Sequence, residues 1–338
     1  MSLLGEYLDA SKRQSSRGRC LHFDSGERCK EIISVHSIQK MGQLQHIAED
    51  NHVYRMNADI STLRKTHGKP LPKRVGIGKA STFPGFCKPH DNAVFEPIDN
   101  FPLFPSLEQI ALYSFRCLCR EYFVKENMVQ VLKNSLGSKD LHRNDQVFLS
   151  ETLRGASLGL EGLRHHKYYY DNALRAHLHG EFEYVCFKSA SRCSLQLSGL
   201  LYPDFDFLGR QIQDLSDWST PPGLITFFTA PTNGGWAFVF AWHTSSGYFC
   251  RPFIQSLAQR ISQGAKPEDL ILRFVFSCCE NHAIRISWWD GLSEQSKQAI
   301  LDKVCLMIDP DVLIPSDYLV SGCEGLADWK FDEVLSGY

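Results

Sequence analysis

The sequence predicts an α+β chain of two unequal units, and three observations carry that prediction. Cysteines and histidines gather in the first hundred residues: Cys20, Cys29, His36, Cys87 and His90. Apolar residues then recur at helical spacing over two long stretches, about 107–134 and 146–174. From Glu181 onward the runs become β-branched, aromatic or alternating, with an Asn233-Gly234-Gly235 reversal between two of them. The expected units are 1–100 and 101–338. The second holds helices over about 106–175, an antiparallel sheet over about 181–277, and C-terminal helices.

The chain has 338 residues, 43% hydrophobic and 22% charged, which excludes a largely disordered protein. A net charge of −2 gives no overall argument for a polyanionic partner. The charge is uneven, however. Residues 1–100 hold 15 Lys+Arg against 11 Asp+Glu, or +4; the rest holds 36 − 15 = 21 against 38 − 11 = 27, or −6. The basic residues cluster in Lys12–Arg19 and Arg64–Arg74, a pattern that suits a phosphate backbone. The start, MSLLGEYLDASKR, lacks a signal-type apolar segment, and no run is long enough to span a membrane. A cytoplasmic location with reduced thiols is expected, in which cysteines near histidine point to metal rather than disulfides.

In the first unit, Leu3, Leu4, Tyr7 and Leu8 share a helical face, predicting a short docking helix followed by a flexible link. Cys20 and Cys29 bracket a turn at Asp24-Ser25-Gly26. Residues 31–36 form a β-type run ending on His36. Residues 37–50 have helical spacing, 52–56 alternate like a strand, 64–74 read as a loop, and 75–86 are turn-rich. A helix is expected from about Lys88 to Phe95, stopped by Pro97. Cys20 and Cys29 on a loop, with Cys87 and His90 at a helix start, make a four-donor set of the soft and borderline kind zinc prefers. His22 is a competing ligand.

This arrangement resembles a treble-clef zinc finger and, more narrowly, the HNH (ββα-metal) endonuclease unit, over roughly residues 18–98. His36 matches the family's strand-ending histidine. Cys87-Lys88-Pro89-His90-Asp91-Asn92 matches the run that opens its helix, with His90 in place of a cysteine. The resemblance implies a structural zinc on Cys20, Cys29, Cys87 and His90, with His36 as general base. It also implies Asp91 as ligand of a catalytic magnesium or manganese ion. The sequence departs from the family pattern at Val35, where an acid is usual, and at Ser81-Thr82, where an asparagine is usual. About fifty residues separate His36 from Cys87.

In the second unit, residues 99–105 are a proline-containing connector. Ser106 and Gln109 form a capping box that opens a helix over about Leu107–Asn134. Cys117 and Cys119 read as core thiols. A second helix spans about Gln146–Leu174, its HHKYYYDN end read as wetted. Strands are expected at Phe182–Lys188, Cys193–Leu201, Gly223–Thr229, Trp236–His243 and Ile271–Ser277, and helices at Pro252–Gln263 and Leu292–Ile308. Asp204, Asp206 and Asp214 read as solvated, and Trp288-Trp289-Asp290 as an anchor. No phosphate loop, nucleophile elbow or HExxH is present; Cys279 and His282, close neighbours in sequence, make a poor nucleophile pair. The function expected from the resemblance is a metal-dependent endonuclease acting on nucleic acid, DNA first, in a microbial defence setting. The alternative is a non-catalytic zinc-containing nucleic-acid- or protein-binding module, with a protein partner on the second unit in either case.

Overall fold

The computed structural model describes residues 3–26, 29–138, 141–308 and 313–337. Helix α1 (Leu3–Ser16) precedes β1 (Ile32–His36). A π-helical turn (Lys40–Leu44) leads through α2 (Gln45–Ile47) to β2 (His52–Asn57), α3 (Ile60–Lys65), β3 (Leu71–Gly76), β4 (Thr82–Cys87) and α4 (Lys88–Asp99). Two long helices follow, α5 (Leu107–Leu136) and α6 (Arg143–Arg175). Then come β5 (Phe182–Ser189), β6 (Leu195–Leu201), β7 (Ile225–Thr232), β8 (Gly235–His243), α7 (Gly247–Ser262) and α8 (Pro267–Cys278). The chain closes with β9 (His282–Ile284), α9 (Ile286–Asp290), α10 (Glu294–Ile308) and β10 (Glu333–Gly337). None of these helices is long and apolar enough to cross a membrane.

Strands β1 and β4 form a two-stranded antiparallel sheet. The other eight form one antiparallel sheet in the order β10-β5-β8-β7-β6-β9-β2-β3. Period-2 patterning explains how that sheet buries both faces. On β8, Trp236, Phe238, Phe240 and Trp242 face one core, with Phe253 and Leu257 of α7 and Phe274 of α8. Ala237, Val239 and Ala241 face the other, where small residues let α5 lie close. Ser114 and Cys117 of α5 reach the sheet directly, meeting Thr226 and Ser198. Ser106 caps α5 as its sequence requires, its hydroxyl accepting from the Gln109 N–H at 3.2 Å.

Several elements differ from expectation. Residues 271–277 are helix rather than strand. The run ILRFVFS is apolar except for Arg273 and Ser277 and buried along its length, so its period is ambiguous, and Pro267 with Glu268 and Asp269 in the first turn decides for helix. Residues 37–50 hold only the π-turn and α2, because buried Gln43 bonds Thr229 and Gln196 of the large sheet instead of continuing a helix. The loop expected at 64–74 contains the end of α3 and most of β3, while the turn-rich 75–86 contains nearly all of β4. Pro97 lies inside α4 rather than ending it; Asn100 N–H still donates to Glu96 O and completes the last turn. The end of α6 is not simply wet: His166 and Tyr170 are buried. Asp206 is buried, with Arg210 as its ion-pair partner. Cys117 and Cys119 are buried as expected. Strands β2 and β3 enter the large sheet through Tyr54 opposite Ile284, so residues from before and after position 100 share one sheet.

Two buried histidines set a pH limit on this fold. His166 and His282 are pushed down to about 4 by burial, each with one ring nitrogen bonded to a carbonyl and the other without a partner. Their folded values lie below the unfolded value of ~6.5, so stability is fully present above that pH and falls as pH drops toward 4. Each is expected to cost about 2 kcal/mol at pH 5 relative to pH 7.5. Urea melts at the two pH values measure the combined loss, and His282→Phe should remove about half of it.

Candidate metal centre

Residues 19–21 run beside β4: Arg19 N–H donates to Pro84 O at 3.1 Å and Leu21 N–H to Gly85 O at 2.9 Å. The chain then reverses twice, through Ser25 N–H to His22 O at 2.9 Å and Cys29 N–H to Gly26 O at 3.0 Å. Cys20 lies within the run beside β4, and Cys29 comes back to the same donor set. Cys87 is both the last residue of β4 and the N-cap of α4, and His90 lies in that helix's first turn. Pro89 near the helix start fixes the first turn at no hydrogen-bonding cost. The knuckle is fastened to α5 by Arg19, which pairs with Glu126, donates to Asn127 and Phe123, and lies over the Phe123 ring. Arg19 is therefore spent inside the molecule and does not belong to a free basic patch.

The result is one convergent donor set. The ligand atoms of Cys20, Cys29, Cys87 and His90 all lie within 4.8 Å of one another. Cys20 Sγ is 3.8 Å from Cys87 Sγ and 3.4 Å from His90 Nδ1, and Cys29 Sγ is 3.5 Å from His90 Nδ1. A tetrahedral zinc with its usual Zn–S and Zn–N bonds needs S···S edges of about 3.8 Å and S···N edges of about 3.6 Å. The four donors fit that ion. Burial pushes the Cys20 thiol up to about 11, while the Gly26 backbone holds Cys29 below its ordinary value. A bound cation favours the thiolate at both positions.

His22 is not among the four. Its Nδ1 accepts from Asp24 N–H at 2.9 Å, and its ring stacks on His90 with centroids 3.9 Å apart. It holds the ligand's ring plane instead of competing with it. Behind the site, Phe86, Phe95 and Phe115 pack edge-on or tilted and tie α4 to α5.

His36 and Asp91 lie elsewhere on the same frame. His36 ends β1, half-buried, with Nε2 3.0 Å from Ile77 O. Burial lowers its pKa, and Lys40 and Arg116 add to that. Asp91 follows His90 on α4; burial raises its pKa against the pull of Arg116, and its Oδ1 has no hydrogen-bond partner among the described residues. No hydrogen bond links His36 to Asp91 among the described residues, but both sit in the field of one ion pair. That pair is Arg116 with Asp99, bidentate at 2.8 and 2.7 Å, with the guanidinium over the Phe95 ring. Asp91, Phe95 and Asp99 recur every four residues on α4, so the arginine lies along one helix face. Sequence reasoning passed over Arg116. The available signal was an arginine on the buried side of an otherwise apolar helical stripe. Among the described residues, no second group of three or more His, Cys, Asp or Glu side chains converges on a point.

Comparison of the chain with protein-family models, with curated proteins and with solved structures finds no match.

Proposed function

We propose that residues 18–98 form an HNH-like, ββα-metal endonuclease unit that hydrolyses nucleic-acid phosphodiesters, with DNA the first substrate to test. One observation carries the reading. The antiparallel pair of β1 and β4, followed by α4, bears His36 at the end of its first strand. The same frame bears Cys87 and His90 in the metal cluster, and Asp91 one residue further along α4. Zinc on Cys20, Cys29, Cys87 and His90 is the staple. With Nε2–H donated to the Ile77 carbonyl, a neutral His36 keeps Nδ1 as a lone pair able to take a proton from water. Asp91 offers one unpartnered hard oxygen. Magnesium sites commonly take one or two carboxylates and complete their shell with water and substrate phosphate. A divalent ion would supply charge neutralisation at the scissile phosphate. The described side chains do not make such a site without substrate.

The test is magnesium- or manganese-dependent cleavage of DNA by the zinc-loaded protein. His36→Ala should lower the rate by at least ~100-fold, the usual worth of a general base, with zinc content unchanged. Equal cleavage by His36→Ala would remove the base assignment. The second reading is a non-catalytic zinc module that binds nucleic acid or protein. The single metal cluster among the described residues, and Ser81-Thr82 in place of an asparagine, favour it. That reading expects binding without cleavage under any metal. A cytoplasmic setting and a protein partner for the larger unit belong to both readings.

A further inference from the structure

The segment between β1 and β4 carries a second feature, outside the strand–strand–helix frame. From residue 60 to residue 90 there is no aspartate or glutamate, while Arg64, Lys65, Lys69, Lys73, Arg74 and Lys79 fall between 60 and 80. All six are exposed. Among the described residues only Arg74 has an ion-pair partner, Asp50, at 3.5 Å across open surface. Charges spent on internal structure look different here: Arg19, Arg116 and Arg273 are each paired and largely buried.

The fold concentrates this charge on one arm. Strands β2 and β3 form an antiparallel ribbon, α3 spans its tip, and β3 is the terminal strand of the eight-stranded sheet. Arg64 and Lys65 occupy the last turn of α3. On β3, Lys73 and Arg74 are successive residues and point to opposite faces, so charge lines the outer rim of the ribbon. Lys73 stands directly opposite Arg55 in register. Directly opposed like charges destabilise a strand pair, and an anion placed between them reverses the sign of that contribution. Burial is the first cause that lowers the Arg55 pKa, to about 10; Arg120 adds to it, while Glu121 and Glu280 oppose it. Lysine and proline on an edge strand also discourage strand addition. That role does not need Arg64, Lys65 and Lys79, which lie off the strand.

The arm also leads to the candidate chemistry. Strand β3 runs straight into residues 77–81, where the Ile77 carbonyl holds His36 and Lys79 is exposed. Six strand residues span about 20 Å. Duplex DNA carries one charge per ~1.7 Å of its axis, so the ribbon faces about six base pairs.

We propose that the β2–α3–β3 arm is a duplex-backbone clamp that binds nucleic-acid phosphates without reading sequence and lays the strand toward His36. It rests on the nucleic-acid reading above but not on catalysis. The experiment uses the full zinc-loaded chain and a short fluorescein-labelled DNA duplex, with affinity measured across a salt series. The quadruple variant Arg64→Gln, Lys65→Gln, Lys73→Gln, Arg74→Gln should flatten the slope of log K against log salt by about 3 to 4. It should weaken binding at least tenfold at low salt, with zinc content and melting temperature unchanged. His36→Ala should bind the duplex as wild type does, so loss of cleavage and loss of clamping are read separately. An unchanged slope in the quadruple variant, or no duplex binding by the wild type at low salt, overturns the clamp. So does equally tight binding of the wild type to vesicles of anionic lipid, which would make the arm a surface for membranes.

Discussion

Cys87→Ser is expected to reduce bound zinc from one per chain to near zero and to destabilise the protein by on the order of 5 kcal/mol. The magnitude follows from what a structural zinc contributes, roughly 10–16 kcal/mol of apparent binding free energy in small domains, of which a larger fold recovers only part. Cys87 is the most demanding of the four positions. It is buried, ends β4 and caps α4, so its loss loosens strand, helix and metal together. Hydroxyl for thiol conserves size but gives a poor zinc ligand. Cys117→Ser is the control. That thiol is also buried, beside Ser198 and remote in sequence from the cluster, and its replacement should leave zinc content intact. Elemental analysis and urea melts on both variants decide the matter. A strong chelator should lower wild-type stability toward that of Cys87→Ser and leave that variant unchanged, because only a folded state that binds the metal gains from it.

The second large effect is an asymmetry within the Arg116–Asp99 pair. The arginine side chain is 3% exposed and the aspartate 39%. Asp99→Ala strands a guanidinium in the core, which is expected to cost about 3–5 kcal/mol. Arg116→Met leaves Asp99 free to reach water and fills the space over Phe95, so about 1–2 kcal/mol is expected, within the range of volume-conserving core changes. Chemical denaturation of the two variants measures the difference. Equal losses would mean that the burial of an unpaired Arg116 charge does not govern the stability of this pair. The pair braces α4 against α5, and Gln39 joins it by donating to Ile98 O and to Asp99. His36 and Asp91 should therefore feel either substitution.

The metal cluster was legible because, among twelve cysteines and thirteen histidines, the spacing of these four is informative. Two cysteines around a turn and a Cys-x-x-His at a helix start offer one pair of donors each, and the fold brings the two pairs together. The exclusion of His22 was not legible, since an imidazole two residues from Cys20 is chemically equivalent to one in the cluster. Only the fold removes it, with its Nδ1 given to Asp24 N–H and its ring stacked on His90 outside the converging donors. The long helices α5 and α6 and the strands β5 to β8 were readable from period alone. Residues 271–277 were not, because a short run buried on all sides, even its Arg273, shows no clear period to read. The shared sheet was hidden for a different reason. The pairing of Tyr54 with Ile284 joins residues far apart in sequence, and local pattern carries no information about such a contact. The π-turn at Lys40–Leu44 belongs to the same class, set by Gln43 reaching Thr229 across the core.

The most direct measurement is zinc K-edge absorption on the purified full chain. Three sulfurs at about 2.3 Å and one nitrogen at about 2.0–2.1 Å are expected, from Cys20, Cys29, Cys87 and His90. A metal-free protein, or a shell dominated by oxygen and nitrogen, would contradict the assignment.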